Sequence, residues 1–308
     1  MSGFLSLMET IVPILVCMGL GIYARKKQAI TPDQNKGLQQ FVLRFCIPCV
    51  LFNSCLEAKL GAESLTTMAM LLPVLFLSSL WAFHARKKAF PYHNFPMLLA
   101  AHETGMLGLP FCIILFGAGE AYRMGMLDMT QGLISIPVMA ILSADTGKGA
   151  SIKEIVKKVL LSPMLIMSVL GFALGLSGGK VWLDSVGIGQ IITKTTSFMA
   201  QPVSAAILFS IGYSFSLKGE NRKQIFKIAG LCVAISAAAC LVMQGVLFLL
   251  PDVDARTRWV VLLYCALPAS FLAPGLAKNE EETELASGVC SLLTVLTLIC
   301  FCVIAAFG

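Results

Sequence analysis

The stretch AAHETGMLGLPFCIILFG, residues 100–117, lies within an apolar segment and interrupts it at several neighbouring positions. It sets the polar residues His102 and Glu103 beside two glycines and a proline. Proline removes a backbone donor and its ring clashes with the preceding helical turn, while glycine is a poor helix former. The stretch therefore predicts an apolar helix that is broken partway along its length, with two polar side chains at the break.

The composition of the whole chain is that of an integral membrane protein. Its 308 residues are 57% hydrophobic and 13% charged, and the mean hydropathy is +0.84. A soluble domain carries about 25% charged residues, so no water-soluble fold of this length could bury so many apolar side chains. We expect an all-α integral membrane protein without a soluble domain.

Ten apolar segments are long enough to span a membrane, since a spanning helix needs about 20 mostly apolar residues. They cover residues 4–24, 39–56, 66–83, 95–117, 122–142, 159–177, 196–217, 225–249, 257–277 and 284–307. With the N-terminus outside, sixteen Lys and Arg residues fall in the cytoplasmic loops and six in the outer loops. Because cytoplasmic loops carry the excess of positive charge, both termini are predicted to lie outside.

The second half of the chain resembles the first, which predicts two five-helix repeats, residues 1–145 and 146–308, within one membrane domain. Three prolines of the first half have counterparts in matching segments of the second half. These pairs are Pro13 and Pro163, Pro48 and Pro202, and Pro110 and Pro268. Repeats with an odd number of helices must insert in opposite orientations. Inverted repeats with interrupted helices are typical of secondary transporters.

The ninth segment, 257–277, is the repeat counterpart of the fourth and is interrupted by Pro268 and Pro274. Backbone groups freed by a break are costly in lipid, so both breaks are expected inside the bundle, near the middle of the membrane. Proline suits the start of a new half-helix, where free N–H groups and the positive end of the helix dipole are exposed. Two such starts meeting at one point predict an anion site, for which a carboxylate is the natural guest. For either break alone, a simple kink is the alternative.

Four motifs carry a resemblance to a known family. They are LRFCIPCVLFNS in the second segment, ETGMLGLP in the fourth, ALPASFLAPGLAK in the ninth and SGVCSLLTVLTL in the tenth. In order and spacing the chain resembles the auxin efflux carrier family, within the superfamily that also contains bile-acid/sodium symporters. The resemblance implies ten-helix carriers, often homodimeric, whose fourth and ninth helices cross at a site for small carboxylates. Glu103 is a departure, because the family usually has Asn at this position.

The candidate substrate-binding residues lie at the two breaks or on helices expected to surround them. They are Asn53, Glu103, Thr104, Gly105, Gly108, Pro110, Gln201, Pro268, Ser270 and Pro274. The polar members of this set have a second interpretation as interhelical hydrogen-bonding groups.

The candidates for coupling transport to an ion are Arg44, His102, Glu103 and Asp128. An intramembrane acid is a functional hypothesis by default, so Glu103 is predicted to couple transport to protons or to sense substrate. A glutamate solvated at a cytoplasmic mouth, or paired with Arg44 or His102, is the alternative. Arg44 has the alternative of extending to the lipid headgroups, and Asp128 that of lying near the outer surface.

The sequence therefore predicts a secondary active transporter in the plasma (inner) membrane, which moves a small organic anion by alternating access. A sodium-coupled bile-acid-type symporter and a transport-inactive membrane sensor on the same fold are the alternatives. Enzyme chemistry is not expected, because Met106 replaces the second histidine of an H-E-x-x-H motif, and nucleophile-elbow and phosphate-loop motifs are absent. We expect no cofactor, no metal and no nucleic acid. The expected partners are the organic acid, membrane lipid and a coupling proton or sodium ion. The resemblance also implies a homodimer.

Overall fold

The computed structural model describes residues 2–58, 61–145, 152–214, 221–251 and 253–307. In this part of the chain every regular element is helical, which confirms the expectation of an all-α protein. The helices of the first half are α1 (Ser2–Lys26), α2 (Pro32–Phe41), α3 (Ile47–Leu56), α4 (Ala62–Ala85), α5 (Phe95–Ala100), α6 (Leu109–Phe116) and α7 (Ala121–Asp145).

The helices of the second half follow after residues 146–151. They are α8 (Ile152–Leu160), α9 (Pro163–Leu176), α10 (Gly179–Ser185), α11 (Ile188–Ala200), α12 (Val203–Ser214), α13 (Arg222–Leu249), α14 (Ala255–Ala266) and α15 (Glu280–Phe307). The predicted boundary between the two repeats, at residues 145 and 146, adjoins residues 146–151, which lie outside the described part of the chain.

Several helices are long and apolar enough to cross a membrane. Five described spans meet this condition by length and composition, and α9 with α10 would make a sixth span bent by 81°. The five are Pro32–Leu56, Ala62–Ala85, Ala118–Ala144, Arg222–Leu249 and Glu280–Phe307. The chain is therefore an integral, multi-pass membrane protein.

The fourth predicted segment is broken, but not at Pro110. Helix α5 ends at Ala100, residues 101–103 are not helical, and a new helix runs over Thr104–Phe116. Glu103 begins this helix because its carboxylate accepts a hydrogen bond from the N–H of Met106. Pro110 thus lies inside a half-helix rather than at its first residue.

A π turn allows Pro110 to remain inside this half-helix. The turn, Thr104–Gly108, ends two residues before Pro110, and its hydrogen bonds span five residues instead of four. The same arrangement precedes Pro48, where a π turn over Val42–Cys46 joins α2 to α3. Because proline lacks an N–H and crowds the preceding turn, widening that turn accommodates it without ending the helix.

The ninth segment is also broken, and here the expectation of a second half-helix is wrong. Helix α14 ends at Ala266, Leu267 is extended, and only a short 3₁₀ turn, Ala273–Leu276, follows. Proline disfavours helical conformation in the residue before it, which explains the extended Leu267 before Pro268. The second proline, Pro274, lies in the first positions of the 3₁₀ turn, where its missing N–H needs no partner.

The seventh predicted segment, 196–217, is divided into two helices. Helix α11 ends at Ala200 and α12 begins at Val203, with a turn at Gln201 and Pro202 between them. Residues 215–217 of this segment lie outside the described residues.

Two helix pairs form one side of the molecule, and both have backbones in close contact. Helix α1 packs along α12, and a Cβ added at Gly212 would lie 2.1 Å from a backbone oxygen of α1. Helix α3 packs along α9, and a Cβ added at Gly171 would lie 2.6 Å from a backbone oxygen of α3. Helices α4, α5, α7, α13, α14 and α15 pack together on the other side, and they carry both breaks.

Candidate functional site

The two broken segments cross each other where their helices are interrupted. His102 and Ala269 form an isolated antiparallel bridge. The N–H of Glu103 donates to the carbonyl of Pro268 at 2.8 Å, and the N–H of Ser270 donates to the carbonyl of Ala101 at 3.0 Å. In an apolar layer, unpaired backbone groups are costly, and each break here supplies partners for the other. The crossing therefore stabilises two non-helical stretches that neither segment could maintain alone.

The carboxylate of Glu103 connects the two segments a second time. Its Oε1 accepts from the N–H of Met106 at 3.3 Å, in the first turn of the helix that begins at Thr104. Its Oε2 accepts from the N–H of Phe271 at 2.8 Å, on the ninth segment. A carboxylate is favoured at a helix start by the free N–H groups and the helix dipole. The protein's own acid thus binds N–H groups of the kind that the sequence had suggested for an anion.

Gln131 organises the polar groups beside this carboxylate. Its Oε1 accepts from the N–H of His102 at 3.0 Å and from the hydroxyl of Tyr264 at 2.8 Å. Its Nε2 donates to the carbonyl of His102 and to a carboxylate oxygen of Asp128, both at 3.0 Å. The hydroxyl of Thr104 also donates to Asp128. Helix α7 is thereby attached, through one buried amide, to the break at His102 and to the last turn of α14 at Tyr264.

His102 points away from this amide toward α13. Its Nε2 lies 3.1 Å from the hydroxyl oxygen of Ser236, and its ring centroid lies 4.8 Å from that of Tyr264. The other ring nitrogen, Nδ1, is buried without a hydrogen-bond partner among the described residues. Nε2 can donate to the Ser236 oxygen or accept from its hydroxyl, depending on the tautomer. A neutral imidazole can therefore form this hydrogen bond.

A cavity of about 1140 Å³ adjoins the crossing. It extends toward Lys36 and Ser214, at the end of the molecule where α2 begins and α12 ends. Its described charged lining residues are Lys36, Glu103 and Asp128, and methionine and leucine side chains supply much of the remaining wall. This is a mostly apolar chamber with polar groups concentrated at the crossing, the usual form of a site for a small molecule.

Seven of the predicted site residues line the cavity, and six do not. The seven are His102, Glu103, Thr104, Gly105, Asp128, Ser270 and Pro274. The six that lie outside its wall are Arg44, Asn53, Gly108, Pro110, Gln201 and Pro268.

The residues outside the wall have structural surroundings of their own. Asn53 accepts from Thr196 at 2.6 Å and donates to Ser197 at 3.2 Å, so it joins α3 to α11 as an interhelical hydrogen-bonding group. Arg44 and Gln201 are exposed, because the first faces outward from its π turn and the second lies in the turn after α11.

Gly108, Pro110 and Pro268 shape the crossing from behind the cavity. Gly108 and Pro110 are buried, and a Cβ added at Gly108 would lie 2.7 Å from the side chain of Leu267. Pro268 contributes its carbonyl to Glu103. These three residues position the two backbones rather than contact a solute.

Helix α15 contributes a row of lining residues that the site prediction omitted. Ser287, Ser291 and Thr294 all line the cavity. Their spacing of four and then three residues places them on one helical face. This periodic set of hydroxyls in an apolar helix was the signal that could have identified them.

An ion-pair cluster, also absent from the prediction, lies at the starts of α4, α7 and α14. Arg123 forms salt bridges with Glu63 at 2.9 Å, Glu120 at 2.7 Å and Asp254 at 2.6 Å. These residues lie at or just before the starts of α4, α7 and α14, and Arg256 pairs with Glu120 as well. The cluster fixes three helices of one bundle to each other at the end remote from Lys36.

Comparison with known proteins gives a consistent result. Residues 6–307 match the family described as membrane transport protein. The chain is also similar to an uncharacterized transporter of Methanothermobacter thermautotrophicus, at 24% identity, with 96% of each protein covered.

Proposed function

The chain belongs to the auxin efflux carrier family of membrane transport proteins, and on this basis we propose that it is a secondary active transporter of a small organic anion. The observation that carries this proposal is the crossing of two broken segments beside a cavity of about 1140 Å³. Discontinuous helices that meet near the middle of a membrane form the substrate sites of many secondary transporters. The cargo is a mono- or dicarboxylate, and the protein works in the plasma membrane.

We propose ten spans arranged as two inverted repeats, with both termini outside. The helix packing supports this arrangement. The first helix of each predicted repeat, α1 or α9, packs against the second spanning helix of the other repeat, α12 or α3. Such reciprocal pairing is what a two-fold axis in the membrane plane would produce.

The same packing suggests which part moves. Helices α1, α3, α9 and α12 form a scaffold with close backbone contacts, and the helices that carry the crossing form the second bundle. Rocking of the second bundle against the scaffold would expose the crossing to each side of the membrane in turn. The ion pairs of Arg123 hold α4, α7 and α14 together, so this bundle would move as one body.

The chemistry of the crossing supports an anionic cargo coupled to a cation. Backbone N–H groups at the crossing already hold a carboxylate, that of Glu103. Two acids, Glu103 and Asp128, line the cavity, so an arriving anion would meet negative charge unless a proton or another cation enters with it. We propose proton coupling through Glu103, with Asp128 as its neighbour.

Counterflow in proteoliposomes tests the proposal. Vesicles preloaded with one carboxylate should accumulate the same labelled carboxylate, across a panel of mono- and dicarboxylates, and protein-free vesicles should not. A pH gradient should raise uptake by the wild type, whereas Glu103→Gln should transport without this stimulation. Replacement of sodium by choline should leave uptake unchanged; loss of uptake would point to a sodium-coupled symporter. Saturable binding of carboxylates without counterflow would contradict transport and favour a sensor.

A further inference from the structure

The two residues whose N–H groups hold the Glu103 carboxylate, Met106 and Phe271, lie in the cavity wall. Met106 and Phe271 line the cavity together with Glu103, so a solute in the chamber can reach the place where this carboxylate lies. The two donors come from different broken segments, and each contacts a different carboxylate oxygen. This is bidentate recognition of one carboxylate by two independent parts of the backbone.

This recognition has no cationic side chain in it. The described cation of the cavity wall, Lys36, is an exposed residue of α2, whereas the described donors to the Glu103 carboxylate are the backbone N–H groups of Met106 and Phe271. Backbone N–H groups do not distinguish the carboxylate of a side chain from that of a free organic acid. The site is therefore defined by its carboxylate geometry, and Glu103 is the carboxylate that occupies it here.

We propose that Glu103 is a tethered competitor of the cargo: it occupies the carboxylate site at the crossing, and a cargo carboxylate binds there by replacing it. This inference rests on the proposed function, because it assigns the cargo to the same carboxylate class. Two carboxylates cannot share these N–H groups, since each group has one proton to donate and the two charges repel each other. Binding is therefore an exchange, in which the side chain of Glu103 leaves the site as the cargo enters.

An exchange of this kind lowers the affinity for cargo without weakening the site itself. The cargo gains the hydrogen bonds that Glu103 gives up, so little net hydrogen-bond energy is released. A tethered group also competes at a high effective concentration, of millimolar order or above even for a flexible link. A carrier that refills its own site in this way releases cargo readily, and it never leaves the two N–H groups unpaired in the apolar layer.

Acetate binding to the purified full-length protein tests the inference, with ligand-induced thermal stabilisation and binding of labelled acetate as readouts. Glu103→Ala vacates the two N–H groups and should bind acetate at least about tenfold more tightly than the wild type, given the effective concentration of the tether. Asp128→Asn is the matched control: it removes one negative charge from the same wall but leaves Glu103 in place. Because an arriving anion also meets this charge, its affinity for acetate should rise, but clearly less than that of Glu103→Ala, and acetamide should stabilise none of the proteins.

Equal tightening by Asp128→Asn and Glu103→Ala would overturn the inference, because general electrostatics would then explain both. Unchanged acetate binding in a folded Glu103→Ala protein would overturn it as well. If Glu103→Ala does not fold, Glu103→Gln decides, since its amide is a weaker, neutral occupant. A tighter affinity for acetate then supports the exchange, and an unchanged affinity overturns it. Acetate binding by the variant does not require transport, so failure of counterflow in the wild type contradicts only the proposed function.

Discussion

The backbone N–H of Phe271 donates to the carboxylate of Glu103 at 2.8 Å, although 168 positions separate the two residues in the chain. The N–H of Glu103 donates in turn to the carbonyl of Pro268. Residue 103 is thus attached to the ninth segment through both its main chain and its side chain. Neither break can shift relative to the other without losing one of these hydrogen bonds, so we expect the two breaks to move together.

Replacing Gln131 should loosen the crossing. In Gln131→Leu, the part-buried N–H of His102 and the buried hydroxyl of Tyr264 lose the partner that Gln131 provides, while the carbonyl of His102 keeps the N–H of Thr104. Each buried group left unsatisfied costs about 1–3 kcal/mol, so the melting temperature should fall strongly and counterflow should be lost. Gln201→Leu is the control, because Gln201 is exposed and its replacement should change stability by at most about 0.5 kcal/mol. Equal losses of melting temperature and counterflow in both variants would show that Gln131 does not stabilise the crossing.

Adding a methyl group to Gly212 should separate α12 from α1. A Cβ there would lie 2.1 Å from the carbonyl oxygen of Met18, and backbone cannot yield as a flexible side chain can. We expect Gly212→Ala to lower the free energy of unfolding by about 1–3 kcal/mol, as overpacking does. Gly230→Ala, in α13, has no atom within 4 Å of the added methyl and should be neutral or stabilising. Thermal unfolding of the two variants in the same detergent tests this prediction. Equal melting temperatures would contradict the close contact between α12 and α1.

The cluster around Arg123 should contribute strongly to stability. Arg123, Glu63 and Glu120 have side chains only 10%, 14% and 14% exposed, so Arg123→Met removes the cation that two mostly buried carboxylates share. Breaking a buried ion pair costs about 3–5 kcal/mol, and the half-exposed Asp254 adds little to this figure.

The control for Arg123 is the exposed pair of Lys180 and Asp184, which is 3.2 Å long. Lys180→Met should change stability by at most about 1 kcal/mol, because exposed pairs are well screened. A small effect of Arg123→Met, similar to that of Lys180→Met, would show that the cluster does not brace the bundle.

A bulky residue on the inner face of α15 should block the cavity. Ser291→Phe places an aromatic ring in the chamber beside the crossing, so counterflow should fall about tenfold or more, corresponding to 1.4 kcal/mol or more of lost cargo binding. Cys300→Phe carries the same ring on an exposed position of the same helix and should transport normally. Normal counterflow by a folded Ser291→Phe protein would mean that cargo does not use this cavity.

The breaks were predictable from the sequence because proline and glycine act locally, whereas their consequences depended on packing. The stretch around His102 and the pair Pro268 and Pro274 both indicated interrupted helices, and both segments are interrupted. The starting point of the new helix was missed, because it depends on the cap that Glu103 provides and on the π turn before Pro110. The role of Gln131 was also hidden, since an isolated amide in an apolar helix gives no sign that it will join the backbone of His102 to the hydroxyl of Tyr264.

The two π turns also fix the rotational phase of the helices that follow them. A π turn adds one residue to what would otherwise be an α-helical repeat, which rotates everything beyond it by about 100° around the helix axis. The face that Phe111 presents to the core of the protein is therefore set by the number of residues between Thr104 and Gly108. Removing one residue from this turn would turn that face toward different neighbours, even though every remaining side chain kept its chemistry.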